Sequence, residues 1–256
     1  MPIGSGKRFG PNAADEREVN MSAAVKITEL PFSDRRDEDP ALITLRHARI
    51  PLRAHDRLLL LQGHPLLFRL GLYAVTERAL AGEPVVYLDG ASTFDPFWVG
   101  RMARAHHQQP RKVLAMIHVA RAYTCQQMER LLSDCLSAAL DRYQARIAVV
   151  SGLLDTFYDR AVPDDEALRL FGRMMEAIRR LTQQGFTLLC LCPPAPILTS
   201  ASRRSLDHLR SQADRIICVH EAGQGIILLE EERGGSAQSW RVARSLLEPV
   251  DHAKAR

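Results

Sequence analysis

The stretch Leu58-Leu59-Leu60-Leu61-Gln62-Gly63-His64-Pro65-Leu66-Leu67-Phe68-Arg69-Leu70 decides how this chain is read. Four consecutive leucines read as a buried strand, and the apolar spacing from about Leu66 to Leu80 reads as a helix. Gly63 therefore falls at a strand-to-helix turn, where a glycine-rich phosphate-binding loop belongs. Laid on from Gly63, the pattern G-x-x-x-x-G-K-[ST] puts Phe68 on the second glycine, Arg69 on the lysine and Leu70 on the magnesium-binding hydroxyl. The second glycine lets backbone N–H groups curl around an anion, the lysine reaches the terminal phosphates, and the hydroxyl holds the metal. Phe68 crowds such a cradle, Leu70 cannot ligate, and Arg69 keeps only the charge on a bulkier planar head. Gly63 and Arg69 are thus vestigial phosphate-loop positions, and taken alone the stretch reads better as an ordinary buried βα turn.

The rest of the composition frames that turn. With 256 residues, 46% hydrophobic and 25% charged, the chain can bury a full core, and one domain is expected. No apolar stretch reaches the roughly 18 uninterrupted residues of a membrane span. Met1 to Gly10 lacks the hydrophobic centre of a signal peptide, so the expectation is an intracellular protein, cytoplasmic or nucleoid-associated. Five cysteines without paired C-x-x-C spacing predict reduced thiols. A formal charge of +4 permits nucleic-acid binding without requiring it, because a basic stripe on one face is what matters.

Residues 1–40, which end in Asp34-Arg35-Arg36-Asp37-Glu38-Asp39-Pro40, have the composition of a flexible arm, with Val25 to Phe32 as a partner-docking alternative. Residues 41–248 form the expected core domain, and 249–256 a tail. Within the core, strands are expected at Leu58–Leu61, Pro84–Asp89, Val113–His118, Arg146–Val150 and Phe186–Cys192. Helices are expected at 66–80, 96–105, 124–142 and 165–183. Short runs apolar on both sides, alternating with helices, indicate a largely parallel α/β sheet covered on both faces. Three further runs, 213–220, 225–230 and 239–243, are separated by glycine-bearing gaps and predict antiparallel hairpins at one edge.

Several strings are similar to the RecA-like recombinase ATPases of the eukaryotic and archaeal type and their paralogues. Val85-Val86-Tyr87-Leu88-Asp89-Gly90-Ala91-Ser92-Thr93-Phe94 resembles that family's second strand, two apolar residues followed by Tyr-Ile-Asp-Thr-Glu-Gly-Thr-Phe. His118-Val119-Ala120-Arg121-Ala122-Tyr123-Thr124, with Gln126, Gln127, Leu131 and Leu132, resembles its third strand and the following helix. Arg146 to Tyr158 stands in the place of the Walker B strand, and the strand pair at Ile216 and Ile226 resembles the closing hairpin. The resemblance implies a RecA-like P-loop NTPase fold, a largely parallel sheet flanked by helices with an antiparallel C-terminal hairpin extension.

The departures from that family concern function. Its catalytic glutamate falls at Ala91, and its Walker B aspartate, which orders the magnesium shell, falls at Ser151, with Asp155 four residues on. Its polar sensor pair falls at Pro193-Pro194. These losses predict a retired ATPase, with no cofactor and no metal site; ATP with magnesium enters only under the alternative of a divergent ATPase using Arg69 and Asp155. Arg203, Arg204 and Arg210 lie where the family's second DNA-binding loop would be and are the DNA-contact positions that the resemblance implies; a solvated helix face is their plainer reading. The counterpart of the first such loop, Asp159 to Glu166, is net acidic.

Weaker candidates take structural readings. The block Arg101, Arg104, His106, His107, Arg111, Lys112 reads as an exposed helix end. His106-His107 point in different directions and lack a nearby carboxylate at a ligand's spacing. Cys190 and Cys192 share a strand face but read as buried thiols, and Phe94, Phe97 and Trp98 as core aromatics. Three readings of function follow: a non-catalytic recombinase paralogue binding protein partners and possible DNA targets in recombination or repair, a divergent DNA-dependent ATPase, and an unrelated α/β enzyme.

Overall fold

In the computed structural model the described residues are 41–45, 48–157, 162–194, 200–233 and 238–247. The expected arm, residues 1–40, and tail, 249–256, lie outside them. A two-stranded antiparallel hairpin, β1 (Ala41–Leu45) and β2 (Ala48–Pro51), comes first. The main sheet then runs β3 (Leu58–Gly63), β4 (Val85–Asp89), β5 (Ile117–Arg121), β6 (Ile147–Ser151), β7 (Thr187–Cys192), β8 (Arg215–Glu221), β9 (Ile226–Arg233) and β10 (Ser239–Ala243). Its eight strands are ordered β10-β9-β8-β3-β7-β6-β4-β5. From β8 to β5 neighbours are parallel, whereas β9 and β10 are antiparallel. The fold is the mixed α/β arrangement expected, a mostly parallel sheet closed by an antiparallel hairpin.

The helices are α1 (Leu67–Leu80), α2 (Pro96–Ala105), α3 (Pro110–Ala115), α4 (Cys125–Arg130), α5 (Leu136–Tyr143), α6 (Asp164–Gln183) and α7 (Ser200–Gln212). Alternation along the leucine strand splits the core in two. Leu58 and Leu60 join the cluster under α4, α6 and α7, while Leu59 and Leu61 join the one under α1, α2, α3 and the β1–β2 hairpin. Each fully buried leucine contributes roughly 1.5–3 kcal/mol of transfer free energy. α1 lies close on the sheet because Gly71 faces Leu191, and a Cβ at that position would collide with the Leu191 methyls.

Three expectations are corrected. Val113–His118 is not a strand: Pro110 opens the short α3, Val113 is its buried residue, and the strand starts at Ile117. Proline at the first helical position costs no hydrogen bond, and exposed Arg111 and Lys112 gain nothing from a strand that must be covered. The 124–142 helix is interrupted by a π turn over Leu131–Cys135. Phe97 is also misread as core, since it is 80% exposed while Trp98 beside it is buried.

Candidate nucleotide site at the first strand-to-helix turn

β3 feeds α1 on one face of the sheet, whereas its neighbour β7 leads on to α7 on the other. Their carboxyl ends bound the crevice where an open α/β sheet takes its ligand. Gly63 stands there with φ at 108°, and a Cβ would run into the Val219 carbonyl oxygen of β8. That glycine serves a close approach between strands.

The backbone donors that follow are consumed locally. His64 N–H donates to Val219 O at 2.8 Å, Leu67 N–H to His64 O at 2.9 Å and Phe68 N–H to Pro65 O at 3.1 Å. Leu66 N–H donates to His64 Nδ1 at 3.2 Å, and the other ring nitrogen lies 3.4 Å from Glu221. Pro65 has no N–H to offer. α1 starts at Leu67, so Phe68, Arg69 and Leu70 belong to its first turn, with Leu70 fully buried. Arg69 turns away from the loop and pairs with Asp95 at 3.2 Å, the residue that caps α2 through Trp98 N–H. Partial burial opposes ionisation of Asp95, but the Trp98 N–H and the Arg69 guanidinium together hold its carboxyl below the usual range.

The ends of β4 and β6 are closed in a similar way. Asp89, fully buried, accepts Thr93 N–H at 2.9 Å and Phe94 N–H at 3.1 Å, and lies 3.4 Å from Arg121. Ser151, which the resemblance sets in the Walker B place, is fully buried and shares a 2.7 Å hydrogen bond with the Thr93 hydroxyl, which also meets Tyr87 OH at 3.3 Å. The Ser151 hydroxyl is therefore tied to the turn beside it. Asp155 lies in a 3-10 turn beyond β6; burial raises its carboxyl to about 6, and its Oδ2 has no hydrogen-bond partner among the described residues.

The other sequence candidates are scattered. Arg203 and Arg204 are exposed on α7, with Arg204 Nε 3.3 Å from Ser200 O, whereas Arg210 is paired with Glu232. Asp164, Asp165 and Glu166 occupy the first turn of α6, where the helix dipole favours carboxylates. His106 and His107 are exposed. Cys190 and Cys192 are buried; burial pushes Cys190 up to about 12 and Cys192 well above its usual range, which leaves both as inert thiols. Among the described residues no group of three or more His, Cys, Asp or Glu could hold a metal ion, and no helix is long and apolar enough to cross a membrane.

Sequence reasoning missed the buried ion network at the opposite end of β3. Arg215, fully buried, reaches Glu231 at 2.9 Å, Asp56 at 3.3 Å and Pro51 O at 2.7 Å. Arg53 grips the same glutamate with both guanidinium nitrogens, at 2.7 and 3.1 Å. Partners so far apart in the chain leave no local spacing; the one available signal was an arginine opening an apolar strand run.

Comparison with curated proteins finds no match. A family model described as Rad51 matches residues 75–185, from α1 through α6. The match covers β4 to β6, the strands that carry the Asp89 turn and Ser151, and it supports a role in recombination or repair. Set on this mostly parallel sheet with its closing hairpin, it supports a likeness to the RecA-like recombinase ATPase family.

Proposed function

We propose that this chain is a non-catalytic member of that family, a binding and regulatory subunit in DNA recombination or repair with no ATPase of its own. The observation that carries the reading is the closed first turn: each N–H from His64 to Phe68 already has an acceptor within the protein. An anion entering there would have to break those bonds, with no lysine to repay the cost. Ala91 offers no base, and the Ser151 hydroxyl is engaged with that of Thr93. The divergent-ATPase reading needs Arg69 released from Asp95 and Asp155 drawn out of its buried turn.

A protein partner fits the free edge of the sheet. β5 pairs only with β4 among the described residues, and Val119 and Tyr123 are exposed on and beside it. Unpaired edge strands are templates for another chain.

Isothermal titration with a non-hydrolysable ATP analogue and magnesium tests the reading. The expected result is no affinity tighter than about millimolar, roughly −4 kcal/mol, and no hydrolysis above background. Micromolar binding abolished by Arg69→Ala would establish the divergent ATPase instead. Co-purification of an active recombinase or repair ATPase from native extract is the expected positive result.

A further inference from the structure

We propose that the α2–α3 pair is a binding surface for single-stranded nucleic acid, distinct from the α7 arginines. Between Pro96 and Met116 the chain carries Arg101, Arg104, Arg111 and Lys112 and no carboxylate. The one acid at the border, Asp95, is already spent as the α2 cap and on Arg69, and it also feels Arg101. Arg104, Arg111 and Lys112 are exposed and have no ion-pair partner among the described residues. The two helices pack closely, with Gly100 of α2 facing the Pro110 ring that opens α3, so the charges belong to one rigid unit.

The second observation is Phe97. It is 80% exposed at the start of α2, and Arg101 and Arg104 follow it at i+4 and i+7. That spacing puts ring and guanidinium groups along one side of the helix, while Trp98, Val99 and Ala103 bury the other. A largely exposed phenyl ring beside unpaired cations has no role in the core of this chain. Aromatic rings that stack bases, interleaved with cations that follow the phosphates, are the recognition chemistry of single strands. An acidic peptide would use the cations and leave the ring unexplained.

The inference rests on the exposed cations and ring of α2 and α3 and not on the loss of ATPase activity. Nucleotide binding would overturn the reading above and leave this one standing.

Fluorescence anisotropy of the full chain with a labelled oligo-deoxythymidine at several salt concentrations is the test. Weak binding is expected, with a log–log salt slope of roughly −0.7 per phosphate neutralised. The charge reversal R104E/R111E/K112E should weaken binding by at least about tenfold and flatten the slope by roughly two units or more. Phe97→Ala should weaken it by roughly five- to hundredfold with the slope unchanged, because stacking is not an ionic contact. All of these side chains are exposed, so circular dichroism melts should match the parent. Loss of binding in R203A/R204A with none in the α2–α3 variants would overturn the proposal, as would undetectable binding at low salt. Equal affinity for polyglutamate, insensitive to Phe97→Ala, would also overturn it and make the surface one for acidic protein segments.

Discussion

The two ends of β3 are held by opposite means. At its amino end, charges are taken out of water and matched: Arg215 and Arg53 face Asp56 and Glu231. At its carboxyl end, where a phosphate would bring charge into an active ATPase, the backbone is matched with itself and the nearby arginine is sent to Asp95. Buried charge is tolerable only where every partner is supplied by the fold. The first end approaches that condition, each charge facing an opposite one although Asp56 Oδ1 and Arg215 Nε find no hydrogen-bond partner among the described residues, and at the second the loop N–H groups are satisfied while the buried Gln62 Oε1 is left without one.

Breaking the amino end should have the largest effect. Arg215→Ala leaves Asp56 and Glu231 facing each other in the interior, and urea unfolding should show a loss of about 3–5 kcal/mol. If the loss is under about 1 kcal/mol, the network is not what fixes β8 and β9 to β3.

The carboxyl end should break more gently. Gly63→Ala must hold alanine at positive φ, which costs roughly 1–3 kcal/mol, and must also push Val219 aside. Unfolding should register at least that much. No change would mean the turn relaxes freely, and a cradle could then form there.

Glu77 tests whether α1 is anchored beyond its first turn. Burial raises its carboxyl to about 8 against the partial relief of the Thr44 N–H, which it accepts at 2.8 Å, and of Arg78. A carboxyl raised in the folded state contributes stability that is fully present below its unfolded value near 4.5 and is lost as pH rises through about 8. Melting temperature should therefore fall between those pH values, and Glu77→Gln, which keeps an acceptor for Thr44, should flatten the fall. The full shift would correspond to roughly 5 kcal/mol, and solvent screening of this partly exposed carboxyl brings the expected span to on the order of 1–3 kcal/mol. An unchanged pH profile in the glutamine variant would assign the dependence elsewhere.

The smallest effect should come from Arg69→Ala. Both members of its pair with Asp95 are about a third exposed, so solvent screening limits the loss to roughly 0.5 kcal/mol. A larger loss in thermal melts would mean that Arg69 helps hold the closed turn as well as the start of α2.

How much was legible depends on the range of the interactions. The run Leu58–Leu61 and the alternation that follows it announce a parallel sheet, because a strand covered on both faces must be apolar at every position. The helix over Pro96–Ala105 is legible from its own cap and proline. The β1–β2 hairpin left no expectation, since its register carries a bulge between Ala41 and Ile43 and its support comes from α1. α3 was mistaken for a strand because six residues around one buried valine carry no period long enough to distinguish the two.

By itself, the sequence determined the fold class, the position of Gly63 at a strand-to-helix turn and the run Phe68-Arg69-Leu70 where a phosphate-loop pattern would carry glycine, lysine and a hydroxyl, all of which are matters of local pattern and residue chemistry. Only the tertiary structure decided that Arg69 is committed to Asp95, that Ser151 is locked to Thr93 across 58 residues, that Phe97 faces solvent and that Arg215 is buried among carboxylates. Each depends on which distant group the sheet order brings within hydrogen-bonding distance, and no local spacing encodes that.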